Sequence, residues 1–320
     1  MKKMNKKQKA LAAIISCVLF WGFSFVSTKI ALDVFPPMSL GMLRFAMALV
    51  FLYLIKLKLA PQEKLRLKDI PMLFAAGLFG VTLYFFFENN GISLVSASEA
   101  SIAISTIPAL LMITEWLSAK IVRLRKERVS HNGTENENPV SAPLGARQWI
   151  GCFVSIAGVW LVAGASFAVS GSILGYIYMT GAALSWVAYS FITRSLFKSR
   201  SVIFIVFWQS VAGFICFIPF SIMELPNWGK AGAEVIIHLL FLGIFCSAMG
   251  HWFYVRALED LSVSVCGIFL NLIPVITVIA GFFMLGERLS PLQWLGAAFV
   301  SGGVSMAMWE KKTGSKIDQI

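Results

Sequence analysis

Residues 73–80 read LFAAGLFG, and residues 239–246 read LLFLGIFC. Thirty-one residues after the central glycine of each stretch, Gly77 and Gly243, comes a proline: Pro108 and Pro274. The offset between the copies is 166 at both points. Upstream, FWGFSFVSTK (20–29) matches SWVAYSFITR (185–194) through Trp21 and Trp186 at an offset of 165. Downstream, RQWIGCFVSIAGV (147–159) matches LQWLGAAFVSGGV (292–304) through Trp149 and Trp294 at an offset of 145. The chain therefore repeats itself, over 10–167 and 172–309.

Each copy holds five apolar stretches, at 10–31, 38–56, 70–88, 95–118 and 148–167, then at 172–193, 202–222, 233–254, 262–284 and 291–309. Most of them can cross the roughly 30 Å of hydrocarbon in a bilayer. Lipid offers no backbone partners, so the stretches are expected to be helices. The expected fold is an all-α integral membrane protein with ten transmembrane helices. An odd number of spans per copy turns the second copy upside down, giving two inverted five-helix repeats, an arrangement typical of secondary transporters with a site between the copies. Composition agrees: 58% of residues are hydrophobic and 13% charged, about half the charge of a soluble domain.

The net charge is +11. Its distribution argues against nucleic acid. With the N-terminus inside, 23 of the 27 Lys and Arg fall on the cytoplasmic side, clustered at 2–9, 56–68 and 120–128 and near the later cytoplasmic ends. This satisfies the positive-inside rule with both termini cytoplasmic. Cys17, Cys152, Cys216, Cys246 and Cys266 all lie in apolar stretches without C-x-x-C spacing and read as core residues. Most links are short. The exception is 120–147, about 21 residues longer than its counterpart, basic and then polar, expected to be a cytoplasmic loop. Its Asn132-Gly133-Thr134 acceptor pattern is accidental on that topology.

GERLSPLQWLGAAFVSGGV (286–304), ENNGISLVSASEASIAISTIP (88–108), FWGFSF (20–25) and LRFAMA (43–48) resemble, in order, elements of EamA-type transporters of the drug/metabolite transporter superfamily. The likeness covers 10–309. The first copy reads SAKIV at 118–122 where the second has GERL, so no symmetric role is assigned to Glu287. The resemblance implies a cavity between two five-helix halves and alternating access. It also implies export or exchange of amino acids, their derivatives or other small metabolites or drugs. The expected partners are such a solute and the bilayer of the cell membrane. A homodimer is also open, and neither nucleic acid, cofactor nor metal is expected.

Several residues are candidates for the site. Pro108 and Pro274 interrupt their helices at matching positions and are hinge candidates; a proline removes a ladder bond and clashes with the preceding turn. Trp21 with Phe25, and Trp186 with Tyr189, share helix faces and either line a cavity or pack. Arg44 either snorkels outward or holds an anionic group. Ser105 and Asn271, three residues before the prolines, either bind substrate or cap freed backbone. Glu88, followed by Asn89 and Asn90, ends one span and Glu99 opens the next. They are either solvated carboxylates at the outer mouth or a proton-coupling pair there. Tyr254 and Val265 replace them in the second copy. Glu115, near Lys120, is expected at the inner interface. His251 is either a proton relay or a packing residue.

No Walker loop, dinucleotide fingerprint, H-E-x-x-H or nucleophile elbow is present. The rival readings are an intramembrane enzyme acting on lipid and a membrane sensor or scaffold docking through 120–147. The first needs acid, histidine or serine chemistry clustered at one depth; the second needs a more distinctive loop.

Overall fold

The computed structural model describes residues 5–129, 145–164, 172–197, 200–285 and 291–308. Every regular element among them is helical. The α-helices are α1 (Lys6–Leu32), α2 (Pro37–Leu59), α3 (Ile70–Gly77), α4 (Tyr84–Leu94), α5 (Ala97–Ile104), α6 (Ile107–Val129) and α7 (Ala146–Gly164). They continue as α8 (Ile173–Leu196), α9 (Val202–Glu224), α10 (Ala233–Leu240), α11 (His251–Asp260), α12 (Val263–Leu270), α13 (Leu272–Leu285) and α14 (Pro291–Met308). Two π segments, Leu78–Leu83 and Phe241–Gly250, carry α3 into α4 and α10 into α11 without a break.

Seven helical runs among the described residues are long and apolar enough to cross a membrane: Lys6–Leu32, Pro37–Leu59, Leu67–Leu94, Glu99–Ile121, Val202–Asn227, Ala233–Asp260 and Val263–Phe283. A shorter apolar run covers Trp294–Ala307. The protein is a multi-pass membrane protein. Its outward side chains fit lipid: Val50, Ile237, Phe153 and Ile177 are all exposed by more than half. On a water-facing surface so much exposed apolar area would drive association.

The sequence reading placed helix ends imperfectly. The run expected over 70–88 continues to Leu94. Asn89, Asn90 and Gly91 look like loop residues, but Asn90 Nδ2 donates to its own Phe86 carbonyl (2.7 Å) and Asn89 Nδ2 to the Pro37 carbonyl of α2 (2.8 Å). The run over 233–254 likewise continues to Asp260. The runs expected at 95–118 and 262–284 are each interrupted, at Ser105-Thr106 and at Asn271. Pro108 and Pro274 then sit in the first turn of the following helix, where a missing N–H costs little. Most of the 120–147 link, Glu287 and both chain ends lie outside the described residues.

Packing contacts recur at the sequence offsets. Gly77 lies against the Gln209 carbonyl and Ala212 of α9, and Gly243 against the Arg44 carbonyl and Met47 of α2. Residues 44 and 209, and 47 and 212, are both 165 apart. At one helix end Lys29 donates to the Val95 carbonyl (2.9 Å); Arg194 donates to the Leu261 carbonyl (3.0 Å). Ser96 and Ser262 each cap the next helix through the N–H three residues on. Helices α7 and α14 cross where Gly151 meets Gly303 and Gly158 meets Gly296, small residues that let the two backbones touch.

Candidate functional site

The site is built where the first helix of each copy meets the other copy. Trp21 of α1 and Trp186 of α8 touch edge to face, ring centroids 5.1 Å apart. Trp21 is pinned across the halves and Trp186 within its own half. Trp21 Nε1 donates to the Cys246 carbonyl in the π segment (3.1 Å), and Trp186 Nε1 donates to Tyr254 Oη of α11 (3.2 Å). A π segment redirects its carbonyls and occurs frequently at functional sites; Cys246 supplies one such carbonyl.

Beside this contact lies a small cavity lined by Trp21, Ser24, Phe25, Arg44, Tyr84, Phe85, Glu88, Trp186, His251 and Ile273. Its volume is about 20 Å³. That is room for a water, which needs about 10–15 Å³ on this measure, and is far too little for a metabolite.

The cavity carries both signs of charge. Arg44 is 2% exposed. Its Nε donates to Ser247 Oγ (3.2 Å), its Nη1 to Thr28 Oγ1 (3.4 Å), and its guanidinium carbon sits 4.4 Å from the Phe85 ring centroid. Such a cation over an aromatic face gains about 2 kcal/mol or more when desolvated. Glu88, also buried, accepts from Tyr84 Oη one turn earlier on α4 (2.7 Å). Arg44 and Glu88 line the same space but form no direct ion pair. His251 packs its ring among Trp21, Phe45, Phe85 and Trp186. Its Nδ1 lies 3.4 Å from the Cys246 carbonyl, and its Nε2 has no hydrogen-bond partner.

Of the candidates read from the sequence, Trp21, Phe25, Arg44, Trp186, Glu88 and His251 share this cavity. Tyr189 borders it through Trp186 and otherwise accepts from Gln209 Nε2 (2.8 Å). Ser105 and Asn271 are elsewhere. Ser105 Oγ returns to the Ile102 carbonyl (2.6 Å), and Asn271 Nδ2 bonds Ser155 Oγ of α7 (2.5 Å). Arg44 does not snorkel, because Thr28, Ser247 and Phe85 hold it inside. Glu88 lies within α4, which runs a further six residues past it, and is buried on the cavity wall. Glu99 does sit at a helix start, in a capping box with Ser96 and bonded by Tyr176 Oη (3.2 Å). The two acids thus have different partners and different surroundings. Glu115 is buried by protein; it accepts from the Ser264 N–H (3.0 Å) and hydroxyl at the start of α12, while Lys120 lies over Trp116.

The sequence reading missed Ser24, Tyr84, Phe85 and Ile273. Ser24 and Tyr84 were within reach of pattern alone: Ser24 is three residues from Trp21 and Tyr84 four before Glu88, the spacings that share a helix face. Ile273 arrives only through tertiary packing.

The EamA-like transporter family model matches this chain twice, over residues 8–122 and 173–309. The chain belongs to the EamA-like transporter family. Among the relatives of this EamA protein is an uncharacterized transporter of Archaeoglobus fulgidus, 29% identical over 90% of this chain and 94% of the relative. Another is a probable terminal-alkyne amino-acid exporter of Streptantibioticus cattleyicolor, 24% identical over 94% of each. A third is the uncharacterized transporter YetK of Bacillus subtilis, 22% identical over 97% of this chain and 89% of that one. One solved crystal structure superposes with a TM-score of 0.71 over 93% of this chain and 96% of the other, at 18% identity, a likeness in fold alone.

Proposed function

We propose that this protein is a secondary transporter of small zwitterionic metabolites, amino acids and their derivatives foremost, acting as an exporter or exchanger by alternating access in the cytoplasmic membrane. The observation that carries the substrate class is the cavity with Arg44 and Glu88 on its wall and no ion pair between them. A solute with a carboxylate and an ammonium group answers both charges, and Trp21, Phe25, Phe85 and Trp186 suit an apolar side chain. A buried charge without a direct counter-charge is costly, so a ligand that supplies one binds with a corresponding gain.

The mechanism rests on ten spans in two inverted halves, 10–167 and 172–309, rocking about the Trp21–Trp186 contact, with Pro108 and Pro274 as hinges. The recurring contacts at offsets of 165 and 166 and the double family match support that layout. Glu88 is the coupling carboxylate in this scheme, taking a proton when the ammonium group leaves; His251, in the same lining, is the second candidate for that proton. The cavity does not favour the intramembrane-enzyme alternative: Ser24, the serine in the lining, spends its hydroxyl proton on the Trp21 carbonyl (2.7 Å).

The test is reconstitution in liposomes with a panel of labelled solutes: neutral amino acids, their decarboxylated amines and their deaminated acids. Accelerated flux of the zwitterions alone is expected, and lost in Arg44→Gln. Equal flux of amines or acids refutes the charge-pair reading; no flux of any solute refutes transport of this class.

A further inference from the structure

Packing contacts recur at the repeat offsets, but the side chains at those offsets differ in chemistry. The residues at the repeat offsets from Thr28, Arg44 and Glu88 are Thr193, Gln209 and Tyr254. The matched packing of Gly77 on Gln209 and of Gly243 on Arg44 places 44 and 209 in the same structural position of the two halves. Of the first set, Arg44 and Glu88 line the cavity, and Thr28 accepts from Arg44 behind it. The other is closed: Thr193, Gln209 and Tyr254 are all fully buried.

That closed set is incompletely bonded. Gln209 gives its Nε2 hydrogen to Tyr189 Oη, but its Oε1 has no partner. Thr193, one turn beyond Tyr189 on the same face of α8, has an unpartnered hydroxyl. Each such buried group costs about 1–3 kcal/mol. Tyr254 Oη, by contrast, is bonded by Trp186 and shares a hydrogen bond with Ser190 (2.9 Å).

We infer that Gln209, Thr193 and Tyr189 form a second, neutral half-site across the Trp21–Trp186 contact, which hydrogen-bonds the N–H or O–H donors of the solute when the opposite face opens. The inference rests on the proposed transport function and goes beyond it, since it makes the two faces chemically unequal. In the first half-site the solute's carboxylate meets a guanidinium and its ammonium a carboxylate. In the second it meets only an amide oxygen and hydroxyls. Charge-assisted hydrogen bonds are roughly twice as strong as neutral ones, so the solute is held at the first half-site and released from the second. Gln209 Oε1, a pure acceptor, suits the ammonium end.

In a chain freed of its five cysteines, Thr28→Cys and Thr193→Cys are compared in oriented vesicles with an impermeant methanethiosulfonate reagent. Thr193→Cys is expected to react at least tenfold faster from the face opposite to the one that labels Thr28→Cys. Silence at Thr193→Cys from both faces overturns the inference, whatever Thr28→Cys does. This readout needs no solute, so failure of the solute panel counts against the proposed function and not against the half-site. Gln209→Leu provides a second check. Removing an unsatisfied buried amide leaves melting unchanged or raised, while solute exchange falls at least tenfold. Unchanged exchange shows that Gln209 only packs, and also overturns the inference.

Discussion

Arg44 concentrates the energetics of the site. Its guanidinium is buried among Thr28, Ser247 and Phe85, with Glu88 on the same cavity but not in contact. Removing either charge leaves the other alone in a dry interior. Arg44→Met and Glu88→Gln are each expected to destabilise the protein, by no more than the about 3–5 kcal/mol of breaking a direct buried pair. The double variant recovers most of that loss in detergent melting experiments while transport stays absent. Independent, additive losses would show that the two charges do not sense each other. Glu99 offers the contrast. It closes a capping box, so Glu99→Gln, which keeps an acceptor for the Ser96 N–H, should cost under about 1 kcal/mol. Its response to a pH gradient in liposomes should equal the parent's, whereas Glu88→Gln should lose that response. If both variants respond as the parent does, neither acid couples transport to protons.

At the scale of elements, the two π segments and the two proline-led breaks fall at matching places in the copies. A glycine at or beside each segment meets the neighbouring half: Gly77, just before the first, on α9 and Gly243, within the second, on α2 leave no space for a side chain. A valine at Gly77 would strike the Gln209 carbonyl, which cannot rotate away. Overpacking of this kind costs about 1–3 kcal/mol. Gly77→Val and Gly243→Val should therefore both lower the melting temperature, and by similar amounts if the two contacts are equivalent. A neutral effect in either would mean that the helices separate freely there. The breaks are gentler. Pro108 and Pro274 lie in a first helical turn, so Pro→Ala at either should leave melting within about 1 kcal/mol and slow solute exchange if the break flexes.

Across the whole molecule, the distribution of Lys and Arg bears on the orientation. On the positive-inside rule, both termini and 120–147 are expected in the cytoplasm and 223–233 outside. Single cysteines introduced into a cysteine-free chain should react with an impermeant maleimide in intact cells at 223–233 and not at 120–147. The opposite pattern would invert the protein and exchange the roles of the two half-sites.

How much of this was legible in the chain itself follows from the kind of force involved. Apolar run length, the paired Gly77/Gly243 and Pro108/Pro274 positions and the two tryptophans determined the helical membrane class and the family, because lipid demands local backbone satisfaction and local patterns record it. The same patterns brought Trp21, Arg44, Trp186, Glu88 and His251 forward as unusual residues in apolar surroundings. Only the tertiary structure decided which of them meet. Glu88 is held within a helix and not at its end because α4 continues past it, with Asn89 bonded to a carbonyl of α2, 52 residues away in the chain. Arg44 stayed inside because Thr28 and Ser247 come from two other helices. Asn271 was drawn off to Ser155, 116 residues away. A polar side chain in a membrane goes where its partner is, and partners on other helices leave no periodic trace in the sequence.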